Sequence, residues 1–360
     1  MTQVGGSPDG EEFEITLFGP GYGEGIVLHT GDGRWAIIDS CTNADGEPLA
    51  FRYLQSIGVD PTNEVDLIVA THWHDDHIRG MAALVRACKK ATFCCASVLC
   101  DHEFLAITHA LEKHHFSSIG SGVHEIHEVF SHLASKQPKP VFAIANRRIL
   151  SKGACEIWSL SPRDSNFLSF LRSINQLLPS QGRSKRRIPS LSPNRISVVL
   201  WIKLADIIVL LGSDLEKPGW IEILQDTARP NGKASVFKVA HHGSQNAHEP
   251  RVWRQMLEDE PVAVVTPWRI GHRSLPSQQD VQRILSCTPN AYATTKLKSP
   301  PRSSRRRSNM IRRTLRESGI ELRRISGPTG MIRIRWSLHS QDGWRIEKIG
   351  SACHLEDFVT

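Results

Sequence analysis

The chain has 360 residues, of which 40% are hydrophobic, so it can bury a sizeable core in one large domain or two ordinary ones. Its N-terminus has no basic segment followed by an apolar segment, and its longest apolar stretch is interrupted by Lys203 and Asp206, which argues against a signal peptide and a membrane span. Eight cysteines without C-x-x-C pairs and a net charge of +7 predict a cytoplasmic protein with reduced thiols and no membrane attachment.

The first half of the chain predicts strands and helices that follow one another. Residues 13–40 alternate apolar and polar side chains around glycine-rich turns, which is typical of three short antiparallel strands ending at Asp39. The elements expected next are a helix at about 47–58, a strand over 65–71, a helix over 78–90, a strand over 91–98, a helical stretch over 101–135 and strands around 141–160.

The second half repeats this style after a long Ser-, Pro- and Arg-rich loop at 178–195. Its expected elements are a strand pair at 196–204 and 206–211, a helix, a strand over 234–240, a helix at about 249–258, a strand over 261–268, a helix over 277–286, a strand over 291–295 and a terminal hairpin over 330–350. The interleaved pattern predicts an α/β layered architecture of two similar halves. The predicted division is a disordered head at 1–11, one domain at 12–296, a basic loop or helix at 297–328, and a hairpin and tail at 329–360 packed on the domain.

The stretch H-W-H-D-D-H at residues 72–77 matches the pattern H-x-H-x-D-H directly after a predicted buried strand. Alternate residues of an extended loop share a side, so His72 and His74 can converge on one ion while Asp76 and His77 turn towards a second. Neutral imidazole nitrogens and a carboxylate suit zinc or a comparable divalent ion. A solvated polar loop is the alternative, but chance matches to so specific a pattern are rare.

One loop cannot complete two metal sites, so further donors are expected at the ends of other strands. Asp214 follows the strand over 206–211, where one carboxylate could bridge two ions, and His241 and His242 follow the strand over 234–240. Taken alone, the position of Asp214 is equally typical of the first residue of a helix. The histidine pair, taken alone, is equally typical of the edge of the core. Together with the first motif, they predict a centre that holds two zinc ions or two manganese ions. The pattern leaves open whether one ion or two bind, and which of the two histidines is the ligand.

Together these motifs resemble the metallo-beta-lactamase superfamily over most of residues 12–296. The resemblance implies an αββα sandwich, in which two mixed β-sheets are flanked by helices and the metals lie at one edge. It also implies that Asp39 supports the ligands from behind, that Asp214 is the bridging aspartate and that His242 is the last histidine ligand.

A narrower likeness is to the lactamase-like domain of ComEC-type DNA-uptake proteins. It is visible in N-x-x-S at 194–197, G-S-D at 212–214 in place of the plain G-D, H-H-G-S at 241–244 and the segment around His272. By that likeness Asn194, Ser197 and His272 line the cleft. Many superfamily members contribute another histidine between the first motif and the bridging aspartate, and His102 is the best-placed candidate here.

The donor set predicts a hydrolase, because a metal-bound water loses a proton near neutral pH and provides hydroxide. We expect Asp76 or Asp214 to orient that hydroxide, and His272 to stabilise the leaving group or the developing oxyanion. Neither a G-x-S-x-G segment nor a phosphate-binding loop competes with this interpretation.

Two basic segments bear on the substrate. Residues 183–187 read R-S-K-R-R, and residues 296–324 hold eleven Lys and Arg against two Glu. Such segments favour a nucleic acid or another phosphodiester, because Lys and Arg release counterions from phosphates, although solvated loops can have the same composition. The leading prediction is therefore a phosphodiesterase or nuclease. The alternatives are a lactone, thioester or β-lactam hydrolase, and a non-catalytic, metal-stabilised nucleic-acid-binding module.

Overall fold

The computed structural model describes residues 6–19, 23–97, 122–134, 138–166, 169, 193–270, 273–296, 329–338 and 343–358. Within these ranges the strands, in chain order, are β1 (Glu12–Gly19), β2 (Gly25–Gly31), β3 (Arg34–Ile38), β4 (Val65–Ala70), β5 (Thr92–Ala96), β6 (Val141–Ala143), β7 (Arg147–Lys152), β8 (Cys155–Ser159), β9 (Leu200–Leu204), β10 (Ile207–Leu211), β11 (Ala234–Lys238), β12 (Leu257–Val265), β13 (Trp268–Ile270), β14 (Arg273–Leu275), β15 (Ala291–Ala293), β16 (Gly330–Ser337), β17 (Arg345–Gly350) and β18 (Cys353–His354).

The helices of the same part of the chain are mostly short. They are α1 (Leu49–Ser56), α2 (Pro61–Glu64), α3 (Asp75–Ile78), α4 (Met81–Ala87), α5 (Gly122–Leu133), α6 (Lys217–Gln225), α7 (Pro250–Gln255) and α8 (Gln278–Leu285), with 3-10 turns at Pro193–Ile196, His241–Gly243, Gln245–Ala247 and Leu355–Phe358. None of the described helices combines the length and the apolar composition that crossing a membrane would require.

Two eight-stranded sheets form the body of the fold, in the orders β17-β16-β1-β2-β3-β4-β5-β6 and β18-β15-β12-β11-β10-β9-β8-β7. Both are mixed, because each joins an antiparallel part to a parallel part, β3 to β6 in the first sheet and β10-β11-β12-β15 in the second. Helices flank the sheets. The predicted αββα architecture is thereby confirmed.

Alternating side chains on the second sheet show how the layers pack. On β10, Val209 and Leu211 join the core that also contains the first sheet, whereas Leu210 joins the core beneath the helices of the second half. Successive side chains of a strand point to opposite faces, so both faces of this strand are buried. Continuous apolar runs such as 207–211 are what a strand buried on both faces requires.

Three predicted elements differ from the structure. The helix expected over 78–90 begins only at Met81 and ends at Ala87, because Gly80 adopts a left-handed backbone (φ 80°) that separates α4 from the preceding short helix α3. The helix expected at 249–258 ends at Gln255, since Leu257 already pairs with Ala234 at the start of β12. The strand expected from 196 begins at Leu200, after a 3-10 turn.

The C-terminal strands are part of the sheets. Strand β16 pairs antiparallel with the whole of β1, and β18 pairs with β15. The Arg335 guanidinium donates to the carboxylate of Glu14, which is fully buried, at 2.7 Å. It also donates to the carbonyl of Gly6 at 2.7 Å, so part of the predicted N-terminal head lies against this strand. Chain segments more than 300 residues apart thus close one edge of the first sheet.

Candidate metal centre

The predicted ligands meet at one edge of the sandwich. Parallel strands of one sheet present their carboxyl ends on the same side, and polar residues placed just after such strands line a crevice there. Residues 72–77 follow β4, Asp214 follows β10, and His241 and His242 follow β11, while Asp39 directly follows β3. Because β4 and β10 belong to different sheets, the cluster lies where the two sheets meet.

The first group of donors consists of His72, His74 and Asp214, whose donor atoms all lie within 4.8 Å of one another. His72 Nε2 lies 3.1 Å from His74 Nδ1 and 3.8 Å from Asp214 Oδ2. His72 and Asp214 are almost completely buried, whereas His74 is partly exposed. Three convergent donors with one open side fit a divalent ion that must also accept a water or a substrate.

The second group consists of Asp76, His77 and His242, which also lie beside Asp214. His77 Nε2 lies 3.4 Å from Asp214 Oδ1, and His242 Nε2 lies 3.6 Å from Asp214 Oδ2 and 3.2 Å from Asp76 Oδ2. His77 Nε2 and Asp214 Oδ1 are buried without a hydrogen-bond partner. Buried polar atoms left unsatisfied are costly, so these two fit a further ion between them. Asp214 is thus placed to be shared by both groups.

The rear nitrogens of the two buried histidines are held by other groups. His77 Nδ1 donates to Asp39 Oδ2 at 2.8 Å, and His242 Nδ1 donates to the Thr266 carbonyl at 2.8 Å. Asp39 also accepts from the Thr71 backbone N–H and hydroxyl, each at 2.8 Å. Such partners fix the ring orientation and leave Nε2 facing the metal position. Asp39 therefore holds the His77 ring from behind in this structure.

Helix α5 fixes the turn that carries Asp76 and His77. The Glu125 carboxylate accepts from the backbone N–H groups of Gly80 (3.0 Å) and Ala82 (3.1 Å), at the start of α4. It thereby satisfies N–H groups that have no partner within the helix. A helix from the histidine-rich stretch thus supports the metal loop through a carboxylate.

Sequence reasoning missed two buried charged residues behind the histidines, Glu24 and Lys238, each 1% exposed. Glu24 Oε1 lies 2.7 Å from Lys238 Nζ, and Glu24 Oε2 accepts a hydrogen bond from the Thr266 hydroxyl. The Lys238 ammonium also donates to the Ser213 carbonyl at 3.0 Å and lies 4.0 Å from Asp214 Oδ1. The signal that could have identified Lys238 is a lone lysine in the apolar strand leading to the histidine pair.

Glu24, His77 and His242 also lie close enough to hold a cation between them. However, Glu24 faces the Nδ1 atoms of the two histidines, at 3.5 and 3.8 Å, and these atoms already donate to Asp39 and Thr266. The Lys238 ammonium supplies the positive charge beside this carboxylate. We therefore assign Glu24 to the support of the histidines, with the metal positions on their Nε2 side.

The remaining predicted residues lie only partly within the described chain. The Asn194 side-chain nitrogen lies 3.4 Å from His241 Nε2. Ser197 is completely buried, and its predicted place in the cleft stays a prediction, as does that of Asn194. His102 and His272 lie outside the described residues, as do the segments 183–187 and 297–324, so their predicted roles stay predictions. Strand β13, which leads to His272, begins at Trp268, whose ring stacks on His242 at 6.1 Å.

Charges within the cluster shift the pKa values of its members in opposite directions. Burial opposes a positive charge on His77, but Asp214, Glu24 and Asp39 raise its pKa well above the ordinary range. The pKa of His242 is raised in the same way, by Asp214 and Asp76 against burial. The pKa of Asp76 falls to about 2, because its hydrogen bond with His242 and the charges of both histidines outweigh burial. Without metal, protons on two imidazoles thus balance the carboxylates.

The cationic histidines predict that metal binding releases protons. A metal ligand must be a neutral imidazole, so an ion has to displace the protons that Asp214 favours on His77 and His242. Since both pKa values lie above 6.5, the apparent affinity should fall as the pH is lowered through them and should already be weakening above pH 6.5. Titration calorimetry with Zn²⁺ in buffers of different ionisation enthalpy measures the protons released. Binding without proton release would contradict this assignment.

Part of this chain is similar to a known protein family. Residues 19–136 match the model of the metallo-beta-lactamase superfamily. This stretch runs from the end of β1 to just beyond α5 and includes the H-x-H-x-D-H loop and Asp39. The match and the fold together support a metallo-beta-lactamase superfamily domain with a candidate metal centre. The search among curated proteins gave no match.

The solved structures to which this chain is similar share little sequence with it. A metallo-beta-lactamase from Cronobacter sakazakii, mutated in its HARLDQ motif, is 14% identical, with 64% of this chain and 77% of that chain covered at a TM-score of 0.34. The metallo-beta-lactamase fold protein YhfI from Bacillus subtilis is 11% identical, with 78% of this chain and 95% of that chain covered at a TM-score of 0.38.

Proposed function

We propose that this protein is a divalent-metal-dependent hydrolase whose substrate is a phosphodiester, in a nucleic acid or a nucleotide. The observation that carries the proposal is the position of Asp214 between two groups of histidine nitrogens, with Nε2 of His77 buried and unpartnered beside it. A purely structural metal site is closed by four protein ligands. The partly exposed His74 and His241 leave one side of this centre accessible to solvent.

The positions of the donor atoms indicate which residue would bind which ion. His72 and His74 would hold one ion, Asp76, His77 and His242 would hold another, and Asp214 would be shared. When bound, divalent ions lower the pKa of water to near neutrality and offset negative charge on the attacked group. Asp39 and the Thr266 carbonyl keep the Nε2 atoms turned to the centre, as their hydrogen bonds to the rear nitrogens indicate. Zinc is the first candidate ion and manganese the second.

The preference for phosphodiesters rests on charge. The segments 183–187 and 296–324 carry clustered Lys and Arg, which favour polyanionic substrates and predict that binding weakens steeply with salt. The likeness of the N-x-x-S and H-H-G-S segments to ComEC-type domains supports the same choice. A cytoplasmic location belongs to the proposal as well, and is supported by the seven cysteines that the structure describes, which form no disulfide with one another.

The test compares two substrate classes in the same preparation. We expect the Zn²⁺- or Mn²⁺-loaded protein to cleave bis(p-nitrophenyl) phosphate and single-stranded DNA faster than p-nitrophenyl acetate. Asp76→Asn should reduce phosphodiester cleavage at least about 100-fold, since loss of an outer partner of a ligand alone costs up to that much. Asp45→Asn, on an exposed loop, is the matched control and should leave the rate unchanged.

Each negative result of this cleavage test favours a different alternative function. Bound metal with cleavage of the carboxylic ester alone would move the protein to the lactone, thioester or β-lactam hydrolases. Salt-sensitive DNA binding without any hydrolysis would indicate a non-catalytic binding module. A protein that binds no divalent ion under any condition tested would refute the metal-dependent mechanism itself.

A further inference from the structure

The first group of donors contains only three protein side chains. His72, His74 and Asp214 meet there, and in the described part of the chain no histidine from between residues 78 and 213 joins them. A zinc ion with open access to substrate takes three protein ligands and a water or substrate, and it can expand to five ligands, so a position whose carboxylate is shared with a neighbouring ion can accept one further donor. The question is whether another donor lies within reach of this position.

His241 borders this group without belonging to it. Its Nε2 lies 3.9 Å from Asp214 Oδ2, almost the same separation as that between His72 Nε2 and this oxygen, 3.8 Å. Two atoms bound to one zinc ion can be up to about 4 Å apart, since each lies about 2.0–2.2 Å from it. The ring is 19% exposed, so His241 stands on the solvent side of Asp214, whereas His242 is buried behind it.

The backbone holds His241 in this place at an energetic cost. His241 and His242 both adopt left-handed conformations, with φ of 49° and 53°. Each such non-glycine residue costs on the order of 1–3 kcal/mol, and residues strained in this way cluster at functional sites. The His241 N–H donates to the Ser213 carbonyl at 2.9 Å, which ties it directly to the residue preceding Asp214. The two strained residues aim both rings towards the same carboxylate.

Asn194 faces one nitrogen of the His241 ring, Nε2, whereas Nδ1 is buried without a hydrogen-bond partner. The Asn194 side-chain nitrogen lies 3.4 Å from His241 Nε2 and 3.5 Å from Glu216 Oε1. An amide N–H that faces Nε2 requires a lone pair there, which is the tautomer that binds a metal. The 3.4 Å separation exceeds that of a strong hydrogen bond, so this lone pair is only weakly engaged.

We propose that His241 is a metal ligand that completes the first position with His72, His74 and Asp214, while His242 serves the second. Both histidines of the H-H pair then bind, to different ions. This inference rests on the proposed metal-dependent function, because it assigns a ligand to the same centre.

The test uses metal content and the spectrum of bound Co²⁺, which do not depend on turnover. We expect the wild type to bind two equivalents, and His241→Gly and His241→Asn to weaken one of them by about 100-fold or more, with altered visible absorption of Co²⁺. Glycine and asparagine tolerate the left-handed backbone, so metal-free His241→Gly should be at least as stable as the wild type. His124→Ala, on the exposed face of α5, is the matched control and should bind as the wild type does.

Each outcome either supports or overturns the role of His241 as a ligand. Loss of one equivalent with unchanged or raised stability of the metal-free protein supports His241 as a ligand. Unchanged stoichiometry, affinity and Co²⁺ spectrum in both variants would overturn the inference and leave the proposed function intact, even if turnover fell. A wild type that binds no ion would refute the proposed function and this inference together.

Discussion

Asp214→Asn should abolish stable binding of divalent metal at both positions. The two oxygens of Asp214 face His72 Nε2 and His242 Nε2 on one side and His77 Nε2 on the other, so one substitution removes a donor from each group. It also removes the negative charge that balances the ions. Each affinity should fall by more than the roughly 10–100-fold that accompanies loss of an outer partner of a ligand. Metal analysis after dialysis measures this loss, and hydrolysis should disappear with it.

The same substitution has an effect that needs no metal. Asp214 raises the pKa values of His77 and His242, so Asp214→Asn should lower both, and NMR titration of the imidazole protons in EDTA would show it. Asp206→Asn, on the exposed turn between β9 and β10, is the matched control and should change neither metal binding nor these titrations. Retention of two tightly bound ions by Asp214→Asn would contradict the placement of this carboxylate between them.

The parts of this centre that sequence could predict are those that follow parallel strands. Asp39, His77 and Asp214 each come after a short apolar run, and the carboxyl ends of such strands meet at one edge of a sandwich. Spacing within one loop and position after a strand are both readable from a linear chain. That is sufficient to predict the fold class and the region of the centre.

The support behind the ligands depends on contacts that a linear pattern does not contain. Glu24 lies in the loop between two antiparallel strands, where Gly-rich sequence is typical of a solvated turn, and its partner Lys238 is 214 positions away in the numbering. A glutamate in such a loop is usually exposed. Only the packing of the two sheets against each other buries both charges together.

Two other failures have simple physical reasons. That both His241 and His242 face Asp214 depends on left-handed backbone angles that non-glycine residues rarely adopt, so no residue pattern predicts this arrangement. The terminal hairpin alternates as a strand pair should, but alternation does not specify a partner. Neighbours in sequence usually pair, as β16 does with β17 in the predicted hairpin, but β16 also pairs with β1.

Lys238→Met should destabilise the metal-free protein by about 3–5 kcal/mol, the usual cost of removing one partner of a buried ion pair. The substitution leaves Glu24 buried without its cation, 2.7 Å from where the ammonium lay, and removes the hydrogen bond to the Ser213 carbonyl. Urea unfolding in EDTA measures the change in the free energy of unfolding. Lys203→Met, on the exposed side of β9 in the same sheet, is the matched control and should be close to neutral.

The double variant Glu24→Gln with Lys238→Met separates charge pairing from packing. If the two side chains are retained as a pair of charges, neutralising both should recover at least about 1 kcal/mol relative to Lys238→Met alone, because residues in contact couple by roughly 0.5–3 kcal/mol. Losses that simply add would show that Lys238 serves Asp214 and the Ser213 loop instead of Glu24. Either way, Lys238 holds the carbonyl of Ser213, the residue before Asp214, and its ammonium lies 4.0 Å from Asp214 Oδ1.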